Sequence, residues 1–185
     1  MIALGMPSAG VVNCITAAAL AALAVRVAST HSAPMIITPT GRIEQNRNAC
    51  AGAAVDYDCR YLLFLDADMN FPYDTFSRLV AHDVDIVGCN AAGRVSGKPV
   101  FPYEGEGLKG VPAIGMAVTL IRVEVFKALR RPWFISPQRE EGRNDLISSD
   151  INFCNMAGAE GFQIYCDLDL SKEIGHFSTV ERRLS

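Results

Sequence analysis

"YLLFLDADMNFP", residues 61–72, runs five apolar residues straight into two carboxylates, Asp66 and Asp68, with only Ala67 between them. A continuous apolar run of this length reads as a strand covered on both faces. In an extended chain residues i and i+2 point the same way, so the two carboxylates converge where the strand ends. Open α/β sheets place their ligands at that end. Two carboxylates at close range repel unless a proton or a cation lies between them. A hard divalent ion that also binds phosphate oxygens, Mg²⁺ or Mn²⁺, would relieve the repulsion. The plain alternative has one aspartate capping the next helix and the other simply solvated.

Strand-like and helix-like segments alternate outward from this stretch. Upstream, "IALGM" (2–6) reads as a strand closed by Pro7-Ser8-Ala9-Gly10, followed by an Ala-rich helix. "PMIIT" (34–38) is a second short strand, and a helical stretch lies near 42–55. Downstream, Pro72 suits the first turn of a helix whose Phe76, Leu79 and Val80 share one face. "VDIVGC" (84–89) is a fourth strand. After residue 90 Gly and Pro dominate, and loops with one short hairpin strand are expected. "GMAVTLI" (115–121) resumes as a strand and "VEVFKALR" (123–130) as a short helix. "SPQREEGRND" (136–145) reads as a mobile loop, and "SSDINFCNMAGAEG" (148–161) as a helix stopped by Gly161. "FQIYC" (162–166) and "KEIGH" (172–176) close the chain as strands. This alternation predicts an α/β fold: a mainly parallel central sheet with helices on both faces.

Composition narrows the function classes. With 185 residues, half of them hydrophobic, the chain can bury a core, and it shows no repeat and no convincing domain boundary. A formal net charge of −3 offers no global attraction for nucleic acid or anionic membranes. The six cysteines follow no CxxC or Cys/His zinc spacing, so most read as buried thiols in a reducing cytoplasm. "VVNCITAAALAALAVRVA" (11–28) is long and apolar, but Asn13, Thr16 and Arg26 interrupt it and no basic region precedes it. It reads as a helix packed on a sheet rather than a signal peptide or membrane span.

Two enzyme classes end a strand in Asp-x-Asp. In haloacid-dehalogenase phosphatases the motif opens the fold, and Thr or Val follows two residues after the second Asp. Here that position is Asn70, and two strand–helix units come first. Nucleotide-sugar transferases of GT-A type instead carry the motif after a nucleotide-binding α/β half. The sequence resembles the compact, family-2-like GT-A glycosyltransferases of bacteria and phages. The resemblance rests on "YLLFLDADMNFPYDTFSRLVAHDVDIVG", "GMAVTLIRVEVFKAL", "SSDINFCNMAGAEGFQIYCDLDL" and Gly175-His176, in that order over residues 1–178. It implies a single GT-A (Rossmann-like) domain over 1–185. A nucleotide-binding half would occupy 1–90, an acceptor and catalytic half 91–178, and a tail 179–185.

The resemblance also implies roles. Pro7 and Ser8 would line the nucleobase, and Arg47-Asn48 would meet the nucleotide or diphosphate, which suits the bidentate fork of Arg. Asp66, Ala67 and Asp68 would lie against the donor, with Asp66 on the ribose or base side. Asp68 and His176 would hold the metal, where an imidazole favours Mn²⁺ over Mg²⁺. Gly115 and Met116 would form the segment beneath the sugar. Asp150 would be the general base of an inverting transfer from a UDP-sugar to an acceptor hydroxyl. The acid that usually precedes it is Ser149 here. The acceptor stays open between a saccharide and a hydroxymethylated DNA base; for the latter, Trp133 with Arg130, Arg131 and Arg139 is the surface of interest, although packing of the loop is the plainer reading of Trp133. A catalytically silent nucleotide-sugar-binding protein is the other reading. His31 and His82 read as structural.

Overall fold

The structure, a computed structural model, describes residues 1–93, 97–136 and 148–177. Apart from Ser136, the loop expected over 136–145 lies outside the described residues, and Arg139 with it. The first half runs β1 (Ile2–Gly5), α1 (Cys14–Thr30), β2 (Met35–Ile37), α2 (Ile43–Asp56), β3 (Tyr61–Leu65), β4 (Met69–Asn70), α3 (Thr75–Ala81) and β5 (Ile86–Gly88). The second half runs β6 (Leu108–Val111), β7 (Val118–Arg122), α4 (Val123–Ala128), α5 (Ser149–Ala159), β8 (Ile164–Asp167), α6 (Leu168–Ser171) and β9 (Gly175–His176).

Seven strands form one mixed sheet in the order β2-β1-β3-β7-β5-β8-β6. Strands β2, β1, β3, β5 and β8 run one way, and β7 and β6 run against them. The chain leaves β1 toward β2 on one side and returns as β3 on the other. The crevice between the ends of β1 and β3 is therefore a topological switch point, the usual ligand position in such sheets. Pro7-Ser8 and Asp66-Ala67-Asp68 follow those two strand ends.

Strand β3 is buried at every residue, as its unbroken apolar run requires. Leu62 and Phe64 pack with Cys50, Ala51 and Ala54 of α2, Phe126 of α4, and Phe153 of α5. Tyr61, Leu63 and Leu65 pack on the other face with Leu23 and Val27 of α1 and Phe76 and Leu79 of α3. Each buried side chain of this size contributes about 1.5–3 kcal/mol of hydrophobic stabilisation.

The structure corrects three expectations about the strands. Strand β2 is at the sheet edge, and Ile36 is 48% exposed, so it is not covered on both faces. Of "KEIGH" only Gly175–His176 pairs, and it pairs with β4 in a separate two-stranded ribbon. The stretch 115–121 enters the sheet only at Val118, which leaves Gly115 and Met116 at the rim. Cys14 is exposed, whereas the other five cysteines are buried and all six are free thiols. No helix among the described residues is long and apolar enough to cross a membrane.

Candidate functional site

The antiparallel register of β3 with β7 pairs Leu65 with Val118, and the Asp66 N–H donates to the Ala117 carbonyl at 2.8 Å. The chain just before β7 is thereby laid alongside the two aspartates. At its start, Thr119 Oγ1 donates to the Gly115 carbonyl at 2.7 Å. Helix α5 begins nearby, with Ser148 as its N-cap and Asp150 in its first turn. The Met116 N–H donates to Asp150 Oδ2 at 3.1 Å, and Ser149 Oγ lies 3.3 Å from Oδ1. A Cβ added at Gly115 would sit 3.8 Å from the Phe101 ring and 3.9 Å from Asp150 Oδ2. That is ordinary contact, so any longer side chain there would fill the space between the two.

Arg47 stands at the centre of this arrangement. It projects from the middle of α2, and its side chain is 7% exposed. Its Nη1 donates to Asp150 Oδ1, and its Nη2 lies 3.7 Å from Asp66 Oδ1. Its Nε is buried with no hydrogen-bond partner among the described residues. One guanidinium thus joins the end of β3 to the start of α5. The surroundings are poorly solvated, since burial pushes the nearby Cys154 thiol up to about 11 and Cys50 on α2 up to about 12.

The neighbours of Arg47 are anchors. Asn46 Nδ2 donates to the Ser8 carbonyl at 2.9 Å and the Gly41 carbonyl at 3.1 Å, holding the loop after β1. Ser8 is buried, and its hydroxyl closes its own turn by donating to the Val11 carbonyl and accepting from the Gly10 N–H. Asn48, expected beside the nucleotide, ties together main-chain segments. Its amide donates to the carbonyls of Glu44 and Phe134 and accepts from the N–H groups of Trp133 and Phe134. With both of its N–H donors and its carbonyl committed to the backbone, little is left for a ligand.

Pairing of β4 with β9 sets Met69 opposite His176, and the Phe177 N–H donates to the Asp68 carbonyl at 2.9 Å. This register brings His176 Nε2 to 3.2 Å from Asp68 Oδ2. His176 Nδ1 lies 2.6 Å from the Ala92 carbonyl oxygen, which can only accept. Nδ1 therefore carries a proton, and Nε2 is the nitrogen turned to the carboxylate. Such a backbone contact fixes the orientation of a metal-binding imidazole. Among the described residues no three His, Cys, Asp or Glu side chains group to hold an ion. One imidazole nitrogen and one carboxylate fit a divalent ion that takes its remaining ligands from water or a diphosphate.

The structure brings together Arg47, Asp66, Asp150 and Met116, and separately Asp68 with His176. It leaves out Trp133, which is 2% exposed and donates its indole N–H to the Phe126 carbonyl at 2.9 Å. Arg131 covers that ring, with its guanidinium carbon 4.5 Å from the centroid. Trp133 thus packs the loop, the plainer reading of it, and its ring is covered rather than open for stacking. His82 is structural as expected, through a 2.9 Å contact to buried Asp167. Sequence reading missed Asn46, Thr119, Phe101 and the Ala92 carbonyl. Only Asn46 left a trace, as one of two asparagines flanking an arginine in a helix.

The mixed sheet with helices on both faces is a GT-A-like glycosyltransferase fold, and solved structures share it. The chain is similar to A197 from STIV over 100% of this chain and 97% of that one, with a TM-score of 0.62 and 15% identity. It is similar to S. aureus TarS 1–349 in complex with UDP-GlcNAc (TM-score 0.59, 13% identity, 98% of this chain and 59% of that one). A glycosyltransferase involved in glycosylation of the major capsid of PBCV-1 matches over 97% of this chain and 94% of that one, with a TM-score of 0.53 and 13% identity. GalNAc-T7 with UDP, GalNAc and Mn²⁺ matches at a TM-score of 0.53 and 13% identity, over 98% of this chain but 44% of that one. No family model and no curated protein matches the sequence.

Proposed function

We propose that the protein is a metal-dependent, inverting glycosyltransferase that moves a sugar from a UDP-sugar to an acceptor hydroxyl. The observation that carries this reading is the convergence of Asp66 and Asp150 on the single guanidinium of Arg47 at the switch-point crevice. In this reading the diphosphate lies against Arg47 and the Asp66-Ala67-Asp68 turn, with the base and ribose toward Pro7 and Ser8. Asp68 and His176 would hold Mn²⁺ or Mg²⁺, whose charge offsets that of the leaving nucleoside diphosphate. Asp150 takes the proton of the acceptor hydroxyl. The hydroxyl oxygen bonds to the anomeric carbon as the bond from that carbon to the diphosphate oxygen breaks. The Met116 N–H keeps one oxygen of Asp150 oriented while the other faces the acceptor. The space between Phe101 and Gly115 lies beside that carboxylate and would receive the sugar.

A second reading, a nucleotide-sugar-binding protein without turnover, draws support from the ion pair that occupies Asp150 Oδ1. The test is a panel of nucleotide sugars screened with Mn²⁺ for thermal stabilisation and diphosphate release, with simple glycans and hydroxymethylated DNA as acceptors. Asp150→Ala should cut turnover by about 10²–10⁴-fold, the usual contribution of a general base, without weakening donor binding. Donor binding without turnover across the panel would favour the silent protein.

A further inference from the structure

We infer that Arg47 is a donor-operated latch: it holds Asp150 and releases it to the acceptor when a nucleoside diphosphate takes its place. This inference rests on the nucleotide-sugar reading of the site. It adds a coupling between the two halves of that site, with Arg47 as a positioning residue for the base.

The geometry divides Asp150 between two anchors of different kind. Oδ2 accepts from the Met116 main-chain N–H, a partner fixed by the segment leading into β7. Oδ1 is held by Arg47, a partner on a long side chain from another helix. The first partner can withdraw only with the backbone, whereas the second can withdraw by rotation of its own side-chain torsions. Once the guanidinium turns away, Asp150 stays oriented through Oδ2, and among the described residues Oδ1 keeps Ser149 Oγ at 3.3 Å. One oxygen is then steered and the other is open, which a general base requires.

The guanidinium itself is poorly satisfied where it stands. Of its donors, Nη1 reaches Asp150, Nη2 lies 3.7 Å from Asp66 Oδ1, and Nε is buried without a hydrogen-bond partner among the described residues. A guanidinium presents its donors as a planar fork that matches phosphate oxygens in pairs. A diphosphate in the crevice beside Asp66 would satisfy Nε and an Nη together, which the two aspartates do not. The bound anion thus supplies partners that the two aspartates do not, and Asp150 is the partner given up in exchange. With the latch shut, Asp150 would not activate a hydroxyl or water before the donor is in place.

Linkage makes this testable without knowing the acceptor. If the diphosphate must draw Arg47 from Asp150, weakening that pair must tighten nucleotide binding. The measurement is calorimetric titration of the full chain with UDP, GDP, CDP and dTDP, with and without Mn²⁺. The variants are Asp150→Asn, Arg47→Gln and the double variant, with Asp150→Ser as a second substitution should Asp150→Asn fold poorly. Asp150→Asn should tighten binding of the preferred diphosphate about tenfold, within the usual range of coupling between sites. In the Arg47→Gln background the same substitution should change affinity by less than about twofold, because the gain comes from freeing Arg47, and such non-additivity marks residues that interact. An equal gain in both backgrounds would mean simple charge repulsion between Asp150 and the anion, and would overturn the latch. No gain in either background would also overturn it while leaving the nucleotide site intact. Absence of binding by every diphosphate to the wild-type chain would overturn the nucleotide reading and the latch together.

Discussion

Asp68 and His176 are 108 positions apart in the chain and 3.2 Å apart in space. What joins them is the two-residue pairing of β4 with β9, and the Ala92 main-chain carbonyl helps to orient the imidazole. Either side chain alone would be an unremarkable polar residue. Facing one another, they offer a nitrogen and a carboxylate oxygen to the same cation. Asp68→Ala and His176→Ala should each abolish the Mn²⁺-dependent part of the stabilisation by UDP-sugar in thermal melts. At a ligand concentration about 100-fold above Kd, binding stabilises a protein by about 2.7 kcal/mol, which sets the size of the effect. An undiminished Mn²⁺-dependent shift in both variants would remove the ion from this position.

Helix α2 shows how one element distributes function. Successive helical residues point about 100° apart, so Asn46, Arg47 and Asn48 face three different neighbours. Asn46 secures the loop after β1, Asn48 secures the segment around Trp133 and Phe134, and Arg47 reaches the acids. Asn48→Ala strands main-chain groups of the Trp133–Phe134 segment, and should cost about 1–3 kcal/mol in urea unfolding. Diphosphate affinity should change little if Asn48 is scaffold alone. Strand β5 makes a comparable point through Gly88. A Cβ there would lie 2.3 Å from Thr119 Oγ1, the hydroxyl that holds the Gly115 carbonyl. Gly88→Ala should therefore destabilise by about 1–3 kcal/mol, the usual cost of overpacking, and should also displace the Gly115 segment. Loss of donor binding in a variant that still melts cooperatively would report that displacement.

Over the whole molecule, the two hydrophobic clusters on opposite faces of the sheet leave one thiol accessible. Cys14 is exposed and the other five cysteines are buried, so a thiol reagent should modify one cysteine in the native protein and six after unfolding. Burial also sets an alkaline limit on stability. Cys50 and Cys154 are raised from an ordinary value of 9.0 to about 12 and about 11, so in the folded state they stay protonated where the unfolded chain ionises. Their contribution is complete below pH 9.0, and declines as pH rises from there toward the folded values. Urea midpoints should fall between pH 9 and 11, and replacement of Cys50 by Ala or Ser should flatten the decline. A flat profile in the native sequence would contradict the burial.

The sequence by itself determined that β3 is a central strand, because an unbroken apolar run is stable only when both faces are covered. It also determined that two carboxylates end that strand, and that strands and helices alternate around it. Its period carried no direction, so the insertion of β7 against β3 was not legible, although that antiparallel register brings Gly115 and Met116 to the aspartates. Nor could it show that Trp133 turns inward, since one aromatic among arginines has the same composition in a core as on a surface. Asp150 and Arg47 were separately legible as an acid opening a helix and a base within one. Their pairing across 103 positions was decided by tertiary structure alone, because only packing of α2 and α5 on one face of the sheet places two opposite charges within reach.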